Sequence, residues 1–357
     1  MREYESQENE VWNAVQSIGP LDQFAIEAAT ERLDSLTKPP GSLGRLESIA
    51  VQLAGITGVT TPELDRKAVI VMAGDHGVCE EGVSAYPAEV TPQMVMNFLN
   101  GGAAVNVLAK QAGAEIFCID LGVNADLNHP SLVNRKIRYG TANMTKRAAM
   151  SRAEAIQAIV TGIRYVRHLV DQGYRLFATG EMGIGNTTAS AAIATVLGNI
   201  PVQHSVGRGT GIDEARVKHK VNVVERAIET NNPDPGDPID VLAKVGGLEI
   251  AGLTGVIIGA AAARCPVVID GYISSAAALA ALKLAPDTAA YMMASHLSNE
   301  QGHSKLLETI GLSPLIHMDM RLGEGTGAVL CFHFIEAALR IMREMATFDS
   351  AGVSRGE

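Results

Sequence analysis

Short apolar segments rich in β-branched residues alternate along the chain with longer segments in which apolar residues recur at helical spacing. Strands that are separated by helices of this length are typical of right-handed βαβ units with parallel strands. The pattern therefore predicts an α/β fold with a mainly parallel sheet flanked by helices. The predicted strands, of which the last is the weakest, are 68–73, 114–121, 174–179, 266–270 and 289–295.

The helical segments carry signals for their ends. The segment 91–111 predicts a helix that is bent or broken near Gly101. Thr91 is its predicted N-cap, and Pro92 is its predicted first helical residue. Further helices are predicted at 151–172, 187–197, 274–284 and 334–345.

The two ends of the chain are helical in pattern and contain no strand signal. We therefore predict that residues 1–35 and 333–357 pack together as a small helical domain. Residues 36–332 then form a large α/β catalytic domain.

The charge of the chain limits its partners. Lys and Arg total 29 against 39 Asp and Glu, a formal net charge of −10. Such a chain has no general attraction for nucleic acid or for anionic membranes, so neither is a predicted partner. Any anion that the protein binds must be held locally, by oriented backbone N–H groups or by a few placed cations.

The four cysteines, Cys79, Cys118, Cys265 and Cys331, are far apart and form no C-x-x-C motif. This spacing disfavours both a zinc cage and a disulfide framework. The N-terminus is charged and lacks the order of a signal peptide. The most apolar stretch, 252–263, is too short to span a bilayer. We therefore predict a cytoplasmic, thiol-reducing location.

In an open parallel sheet, ligands bind beyond the carboxyl ends of the strands. Four polar, glycine-containing segments follow predicted strands, at 74–77, 180–188, 270–272 and 295–302. The segment GEMGIGNTT at 180–188 is the most informative of them, because a helix begins within it.

Within that segment, Gly183 and Gly185 allow the backbone to approach a ligand closely. Asn186 and Thr187 stand where the helix begins, so its unpaired N–H groups face the loop. This arrangement suits a phosphate or a carboxylate. The alternative interpretation is a strand–turn–helix joint in which a threonine caps the helix.

A second glycine-rich segment, VGRGTGID, contains Gly207, Arg208 and Gly209. Arg208 could supply a cation to a phosphate, although a surface loop explains the segment equally well. Neither segment matches the Walker A pattern, and no G-x-G-x-x-G follows the first strand. The sequence therefore offers little support for a P-loop nucleotidase or a dinucleotide dehydrogenase.

One carboxylate, Glu324, stands between Gly323 and Gly325 in apolar surroundings. Burial would raise the pKa of such a group, which suits a general base. The alternative is a glutamate that caps a helix or faces solvent, and spacing alone favours that alternative. By spacing, Met94 likewise fits core packing better than a binding pocket.

Several residues could ligate a metal, but none has the H-x-x-x-H or H-E-x-x-H spacing of a metal site. We therefore predict neither a metal nor another cofactor. The candidates are Asp75, His76, His296, His303 and His317.

Eight segments together, which run in order from Thr37 to Ala328, resemble one family, the nicotinate-nucleotide–dimethylbenzimidazole phosphoribosyltransferases. Each segment is only moderately specific, whereas the ordered set is highly specific. The segments are TKPPGSLGRLE, MAGDHGV, EGVSAYPAEVT, FLNGGAAVNVLA, GEMGIGNTTASAA, KVGGLEIAGLTGV, PVVIDGYISSAAAL and MRLGEGTGA.

The resemblance implies an enzyme that converts nicotinate mononucleotide and 5,6-dimethylbenzimidazole into α-ribazole 5′-phosphate and nicotinate. It also implies a Rossmann-like large domain, a small helical domain from both chain ends, and a homodimer. Glu324 corresponds to the family's proton acceptor, and Glu181 lies in the same site. The substrate-binding candidates are Gly180, Gly183, Gly185, Asn186, Thr187, Gly207, Arg208, Gly209, Tyr86, Met94, Gly323 and Gly325.

One departure from the family concerns the base pocket, which includes Tyr86 and Met94. Tyr86 is larger than the small polar residue that some relatives carry, so benzimidazole, adenine or a phenol are alternative acceptors. A hypothesis from a different class is a non-catalytic, nucleotide-binding regulatory protein that uses the same glycine-rich loops. Consumption of a bound donor would distinguish the two.

Overall fold

The computed structural model describes residues 2–209, 211 and 213–354. In this part of the chain, six strands form one sheet in which all neighbours are parallel, in the order β3-β2-β1-β4-β5-β6. The strands of this sheet are β1 (Lys67–Gly74), β2 (Ala114–Gly122), β3 (Val133–Asn134), β4 (Leu176–Met182), β5 (Val267–Ile269) and β6 (Met292–Ala294). A separate pair consists of β7 (His296–Leu297) and β8 (Ile316–His317).

This strand order is that of the Rossmann fold, in which the chain changes direction across the sheet between β1 and β4. Both strands are buried at every residue, because helices cover both faces of the sheet. The predicted fold class, a Rossmann-like mainly parallel sheet flanked by helices, is confirmed. A crevice at the carboxyl ends of β1 and β4 is the expected ligand site of such a sheet.

Helices and two short 3₁₀ helices, Gly77–Glu81 and Pro286–Tyr291, connect the strands. The long helix Leu248–Ala262 packs on the sheet and against the helix Arg152–Asp171. The helices are α1 (Arg2–Ser17), α2 (Gln23–Ser35), α3 (Arg45–Thr57), α4 (Val90–Leu99), α5 (Ala104–Ala112), α6 (Arg152–Asp171), α7 (Asn186–Gly198), α8 (Val202–Ser205), α9 (Glu214–Asn231), α10 (Pro238–Val245), α11 (Leu248–Ala262), α12 (Tyr272–Leu284), α13 (His303–Ile310), α14 (Thr326–Glu344) and α15 (Phe348–Ala351).

The two ends of the chain meet through α2 and α14. Arg32 donates from Nε to the carbonyl of Met342 and from Nη2 to the carbonyl of Met345. Leu36 and Thr347 form an isolated antiparallel bridge. The division into a small helical domain (1–35 and 333–357) and a large domain (36–332) stays a prediction, and α14 runs across its boundary at residue 333.

Three sequence-based expectations about element ends are wrong, and each correction bears on the ligand site. Strand β4 ends at Met182 rather than at residue 179, because Gly180–Met182 continue the parallel register with β1. Helix α14 begins at Thr326 rather than near residue 334. Thr91 does not cap its helix, since α4 begins at Val90. The predicted break of this helix near Gly101 is confirmed.

Within the described residues, the helices lack the combination of length and apolar character that a membrane span requires.

Candidate active site

A cavity of about 500 Å³ opens at the carboxyl edge of the sheet. Its walls come from the segments that follow β1, β4, β5 and β7, together with the residues that precede α14. The cavity is therefore where the strand order predicts a ligand. Of the sequence-predicted residues, those that line it are Tyr86, Met94, Glu181, Gly183, Gly185, Asn186, Thr187, Gly209, Gly323 and Glu324.

The remaining candidates, Gly180, Gly207, Arg208 and Gly325, do not line the cavity. The Arg208 side chain is exposed to solvent. A different arginine, Arg321, lines the cavity, and its Nη1 donates to the carbonyl of Gly209 over 3.2 Å.

Glu324 is buried in the cavity wall, with 6% of its surface exposed. Its Oε2 accepts a hydrogen bond from the backbone N–H of Val105, in the first turn of α5, over 3.4 Å. Burial raises the pKa of Glu324, and the nearby charge of Asp270 raises it further, whereas the Val105 N–H lowers it. The carboxylate therefore has the raised proton affinity that suits a general base.

Glu181, the next-to-last residue of strand β4, is also 6% exposed and lies beside Glu324. Its Oε1 accepts from the backbone N–H of Glu324 over 3.3 Å, and Asn186 donates from Nδ2 to its Oε2. Burial raises the pKa of Glu181 to about 8, and the charges of Asp270 and Glu249 add to this. We call Glu181 and Glu324 the carboxylate wall.

Two glycines allow the carboxylate wall to form. A Cβ atom at Gly180 would lie 2.4 Å from the carbonyl oxygen of Glu324, and one at Gly323 would lie 2.2 Å from Oε1 of Glu181. Any larger residue would push the two segments apart. The lack of a side chain at Gly180 and Gly323 thus allows the segments that carry Glu181 and Glu324 to pack closely.

Asp270 lies outside the cavity lining and forms hydrogen bonds with the backbone next to Glu324. It follows β5, is 1% exposed, and accepts from the backbone N–H of Gly325 at 3.1 Å and of Ala328 at 2.9 Å. Burial raises the pKa of Asp270 to about 7, although these N–H donors oppose the shift. The sequence marked 270–272 as a strand end but did not indicate that Asp270 contacts the distant segment around Glu324.

Positive charge lies at and directly behind a second part of the cavity wall, where Arg321 and Thr187 line the cavity and Lys220 lies behind them. Lys220, from α9, is 1% exposed and donates from Nζ to Oγ1 of Thr187 over 2.6 Å, next to Gly209. Thr187 lies in the first turn of α7, whose N-terminus adds partial positive charge. Burial lowers the pKa of Lys220 to about 8. We call Lys220, Thr187, Gly209 and Arg321 the cation region.

The loop between the carboxylate wall and the cation region is held from behind. The backbone N–H of Ile184 donates to Oγ1 of Thr91 over 3.0 Å, and Cys79 Sγ donates to the Ile184 carbonyl over 3.0 Å. Beneath the loop, Nε2 of His76 lies 2.5 Å from Oε1 of Glu249. Burial disfavours the charged form of His76, but the Glu249 carboxylate outweighs it and raises the pKa of His76.

The histidines behind the cavity are held by other side chains of the protein. His303 pairs with Ser275 Oγ at 2.9 Å and accepts from the Ser298 N–H at 2.8 Å, and His296 lies next to Ser295. Burial lowers the pKa of His296 to about 4 and that of His303 to about 3, so both are neutral near pH 7. Among the described residues, no group of three or more His, Cys, Asp or Glu side chains could hold a metal ion.

A Rossmann-like sheet whose switch-point cavity lies between a carboxylate wall and a helix N-terminus with a buried lysine behind it is suited to a ligand that carries a phosphate. The family described as "Phosphoribosyltransferase" matches residues 18–353. The chain is thus a phosphoribosyltransferase. It belongs to the family of the nicotinate-nucleotide–dimethylbenzimidazole phosphoribosyltransferases, as its relatives establish.

The relatives match over nearly their whole length. The enzyme of that name from Chloroflexus aggregans is 57% identical over 341 residues, which are 95% of this chain and 97% of that protein. The one from Desulforamulus reducens is 56% identical over 337 residues, or 94% and 96%. A crystal structure of the Thermus thermophilus enzyme superposes with a TM-score of 0.89 at 46% identity and covers 94% of this chain and all of that one.

Proposed function

We propose that this protein transfers the 5-phosphoribosyl group of nicotinate mononucleotide to 5,6-dimethylbenzimidazole, which yields α-ribazole 5′-phosphate and nicotinate for the lower ligand of cobalamin. The names of the relatives support the reaction. The observation that carries the proposal is that the buried Glu324 shares one cavity with the cation region.

The charges of the cavity complement those of the proposed donor. Its 5′-phosphate fits the cation region, where the N-terminus of α7 and Lys220 favour an anion. Thr187 and Gly209, from the two glycine-rich segments, line the cavity and support the predicted phosphate site. Arg208 is exposed and does not line the cavity, so the arginine proposed to contact the phosphate is Arg321. The cationic pyridinium and ribose then lie toward the carboxylate wall.

In the proposed reaction, a ring nitrogen of the benzimidazole attacks the anomeric carbon of the ribose. The bond from that carbon to the pyridinium nitrogen breaks, and its electron pair stays on nitrogen, so nicotinate leaves without needing a proton. Positive charge grows on the ribose in the transition state. The negative charge of Glu181 would stabilise this centre if the donor's own charge keeps Glu181 ionised.

Attack leaves the azole with a positive charge and an N–H on its other ring nitrogen. We assign the removal of that proton to Glu324, since its carboxylate lies in the cavity wall and burial raises its pKa. The hydrogen bond from Val105 occupies Oε2 and leaves Oε1 for the azole. Apolar side chains near the wall, including Val90, Met94 and Leu322, suit an aromatic acceptor.

The proposal includes a homodimer located in the cytoplasm, as the family resemblance and the sequence predict.

The test is to incubate the purified protein with nicotinate mononucleotide and dimethylbenzimidazole and to follow both products by chromatography and mass spectrometry. We expect equal amounts of nicotinate and α-ribazole 5′-phosphate. Parallel reactions with benzimidazole, adenine and a phenol rank the acceptors. Binding of the donor without release of nicotinate from any acceptor would contradict the proposal.

A further inference from the structure

The backbone that carries Glu324 has an unusual conformation. Three consecutive residues have positive φ angles: Gly323 at +83°, Glu324 at +64° and Gly325 at +100°. A residue with a side chain rarely adopts such an angle, because its Cβ crowds the backbone. Glu324 therefore keeps this conformation only if contacts around it hold the segment in place.

Asp270 supplies contacts of this kind on the C-terminal side of Glu324. Its Oδ2 accepts from the N–H of Gly325, the next residue, and its Oδ1 accepts from the N–H of Ala328, in the first turn of α14. A carboxylate at a helix N-terminus is favoured by the unpaired N–H groups and by the helix dipole. Both oxygens of Asp270 thus anchor the start of α14 directly behind Glu324.

The backbone of Asp270 is itself fixed between two neighbouring segments of the sheet. Its N–H donates to Oγ1 of Thr179 on β4 over 3.1 Å, and its carbonyl accepts from Oγ of Ser295, which follows β6, over 2.9 Å. Asp270 therefore connects the rigid sheet edge to the segment that bears Glu324.

We infer that Asp270 is a positioning residue, which holds the backbone of Glu324 so that its carboxylate faces the acceptor base. This inference rests on the proposed role of Glu324 as proton acceptor. Asp270 itself does not line the cavity, so it acts through Glu324 and not on the substrate.

The chain offers a matched control at the end of another strand. Asp120, on β2, is fully buried, accepts from the Val123 N–H over 2.8 Å, and forms an ion pair with Lys136 at 2.8 Å. In the described part of the chain, its hydrogen bonds and ion pair involve no residue between 323 and 328. Asp120→Asn and Asp270→Asn therefore make the same chemical change in similar burial, and only Asp270→Asn loosens Glu324.

The first test measures kcat and KM for both variants, with thermal unfolding as the measure of stability. An amide at position 270 places an N–H₂ group against backbone donors, so we expect kcat to fall by about 10²-fold, with the donor KM nearly unchanged. Asp120→Asn should lower stability but leave kcat within about twofold of the wild type. Equal kcat values for Asp270→Asn and the wild type would overturn the inference.

The second test is a double-mutant cycle with Glu324→Gln. If Asp270 acts through Glu324, Asp270→Asn should have little further effect on kcat in the Glu324→Gln background. If the losses of kcat in the two single variants instead multiply in the double variant, Asp270 acts by a route independent of Glu324, and the inference is overturned. If Glu324→Gln alone leaves turnover unchanged, the proposed role of Glu324 fails and the inference fails with it. If only Asp270→Asn is without effect, the inference alone fails.

Amide hydrogen exchange gives a readout that does not depend on turnover. We expect faster exchange of residues 323–328 in Asp270→Asn and unchanged exchange of that segment in Asp120→Asn. If Asp270→Asn does not fold, Asp270→Ala repeats the tests, since it removes both hydrogen-bond acceptors without added bulk. Unaltered protection of 323–328 in a folded variant would overturn the inference.

Discussion

The carboxylate wall and the cation region are both built from buried ionisable groups, but the protein supports them differently. Glu181 and Glu324 receive hydrogen bonds from backbone N–H groups and an asparagine, and they stand beside other acids. Lys220 has a threonine hydroxyl as its hydrogen-bond partner, and Glu300 is the charged neighbour that favours its protonated form. Among the residues that the structure describes, no close ion pair neutralises the charged side chains of either region, so each region favours a ligand of opposite charge.

The comparison shows how one cavity can select a substrate that carries both signs of charge. Burial moves the pKa values of Glu181 and Lys220 toward each other, to about 8 in both cases. A bound phosphate would favour the charged form of Lys220, and a bound pyridinium would favour the ionised form of Glu181. The proposed donor therefore supplies the charges that each region lacks, and variants that change one region only should have separable effects.

The largest expected effect comes from the carboxylate wall. Glu324→Gln keeps the size of the side chain and its ability to accept from Val105, but it removes the proton acceptor. We expect kcat to fall by about 10²- to 10⁴-fold, with modest change in donor affinity. Rapid-quench measurement of nicotinate release under single-turnover conditions checks this.

Glu300→Gln is the comparison variant, because Glu300 lines the same cavity but lies beside Gly207 and near Lys220. It should change the donor KM more than kcat. The same loss of kcat in both variants would mean that the two regions do not have separate roles.

The next largest effect is expected in the cation region. Lys220→Met removes the buried ammonium group while it keeps most of the volume, so the donor should bind about 10- to 100-fold more weakly, with kcat less affected. Lys218→Met, on the exposed face of the same helix, is the matched control. Equal donor affinity in Lys220→Met and wild type would exclude Lys220 from the phosphate site.

The pH dependence of donor binding sharpens this prediction. The pKa of Lys220 is lowered to about 8, so the group is charged below that pH and becomes neutral above it. Loss of this charge should therefore weaken donor binding as the pH rises above 8, because a neutral amine no longer attracts the phosphate. Ionisation of Glu181, whose pKa is also about 8, should strengthen binding of the pyridinium over the same range. Calorimetric titrations at pH 7 and pH 9 isolate the contribution of Lys220, since donor affinity should rise more with pH in Lys220→Met than in the wild type.

The sequence predicted five of the six strands of the main sheet, and it also indicated Thr187 and Gly209 of the cation region. It did not indicate strand β3 or the two cations, Lys220 and Arg321. Short continuous apolar segments predicted these strands, because a strand that is buried on both faces of the sheet needs apolar residues at nearly every position. Glu324 stands between two glycines, but spacing alone favoured a helix cap or an exposed side chain, and the family resemblance supplied the roles of Glu324 and Glu181. Lys218 and Lys220, by contrast, look alike in a polar helix, and only the packing of α9 against α7 buries one of them.

Long-range contacts explain the other differences. Thr91 is a residue type that often caps helices, yet its hydroxyl accepts a hydrogen bond from the backbone N–H of Ile184, 93 positions away. Asp270 ends a strand and caps a helix that begins 56 residues later, at Thr326. A local sequence pattern indicates which polar groups need a hydrogen-bond partner, but the tertiary fold determines which residue is that partner.

A smaller effect is expected from the loop that joins the two regions. Thr91→Val keeps the shape of the side chain but leaves the Ile184 N–H unpaired in a buried place, which should lower the free energy of unfolding by about 1–3 kcal/mol. The loosened loop should lower kcat/KM by about tenfold. Chemical denaturation and steady-state assays measure the two effects.

Thr254→Val is the matched control for this loop. Thr254 is equally buried, and its hydroxyl donates to the Ile250 carbonyl within α11, so its loss leaves no N–H group unpaired. We expect a smaller loss of stability and an unchanged kcat/KM. If both variants lose the same activity, the hydrogen bond from Ile184 has no special role in holding the cavity.

The smallest effect is expected at the mouth of the cavity, where Tyr86 lines the wall with 56% of its surface exposed. A half-exposed ring in the cavity wall can cover one face of an acceptor base. Tyr86→Ala should therefore raise the KM for dimethylbenzimidazole about fivefold, which corresponds to about 1 kcal/mol, and leave donor affinity unchanged.

Tyr139→Ala provides the comparison, because Tyr139 is 57% exposed but lies outside the wall of this cavity. It should leave both KM values unchanged. If Tyr86→Ala instead weakens the donor as much as the base, the ring covers the whole cavity rather than the acceptor, and the assignment of the apolar mouth to the base is wrong. A gain of activity toward bulkier acceptors, with dimethylbenzimidazole unaffected, would show that Tyr86 limits the size of the base and does not bind it.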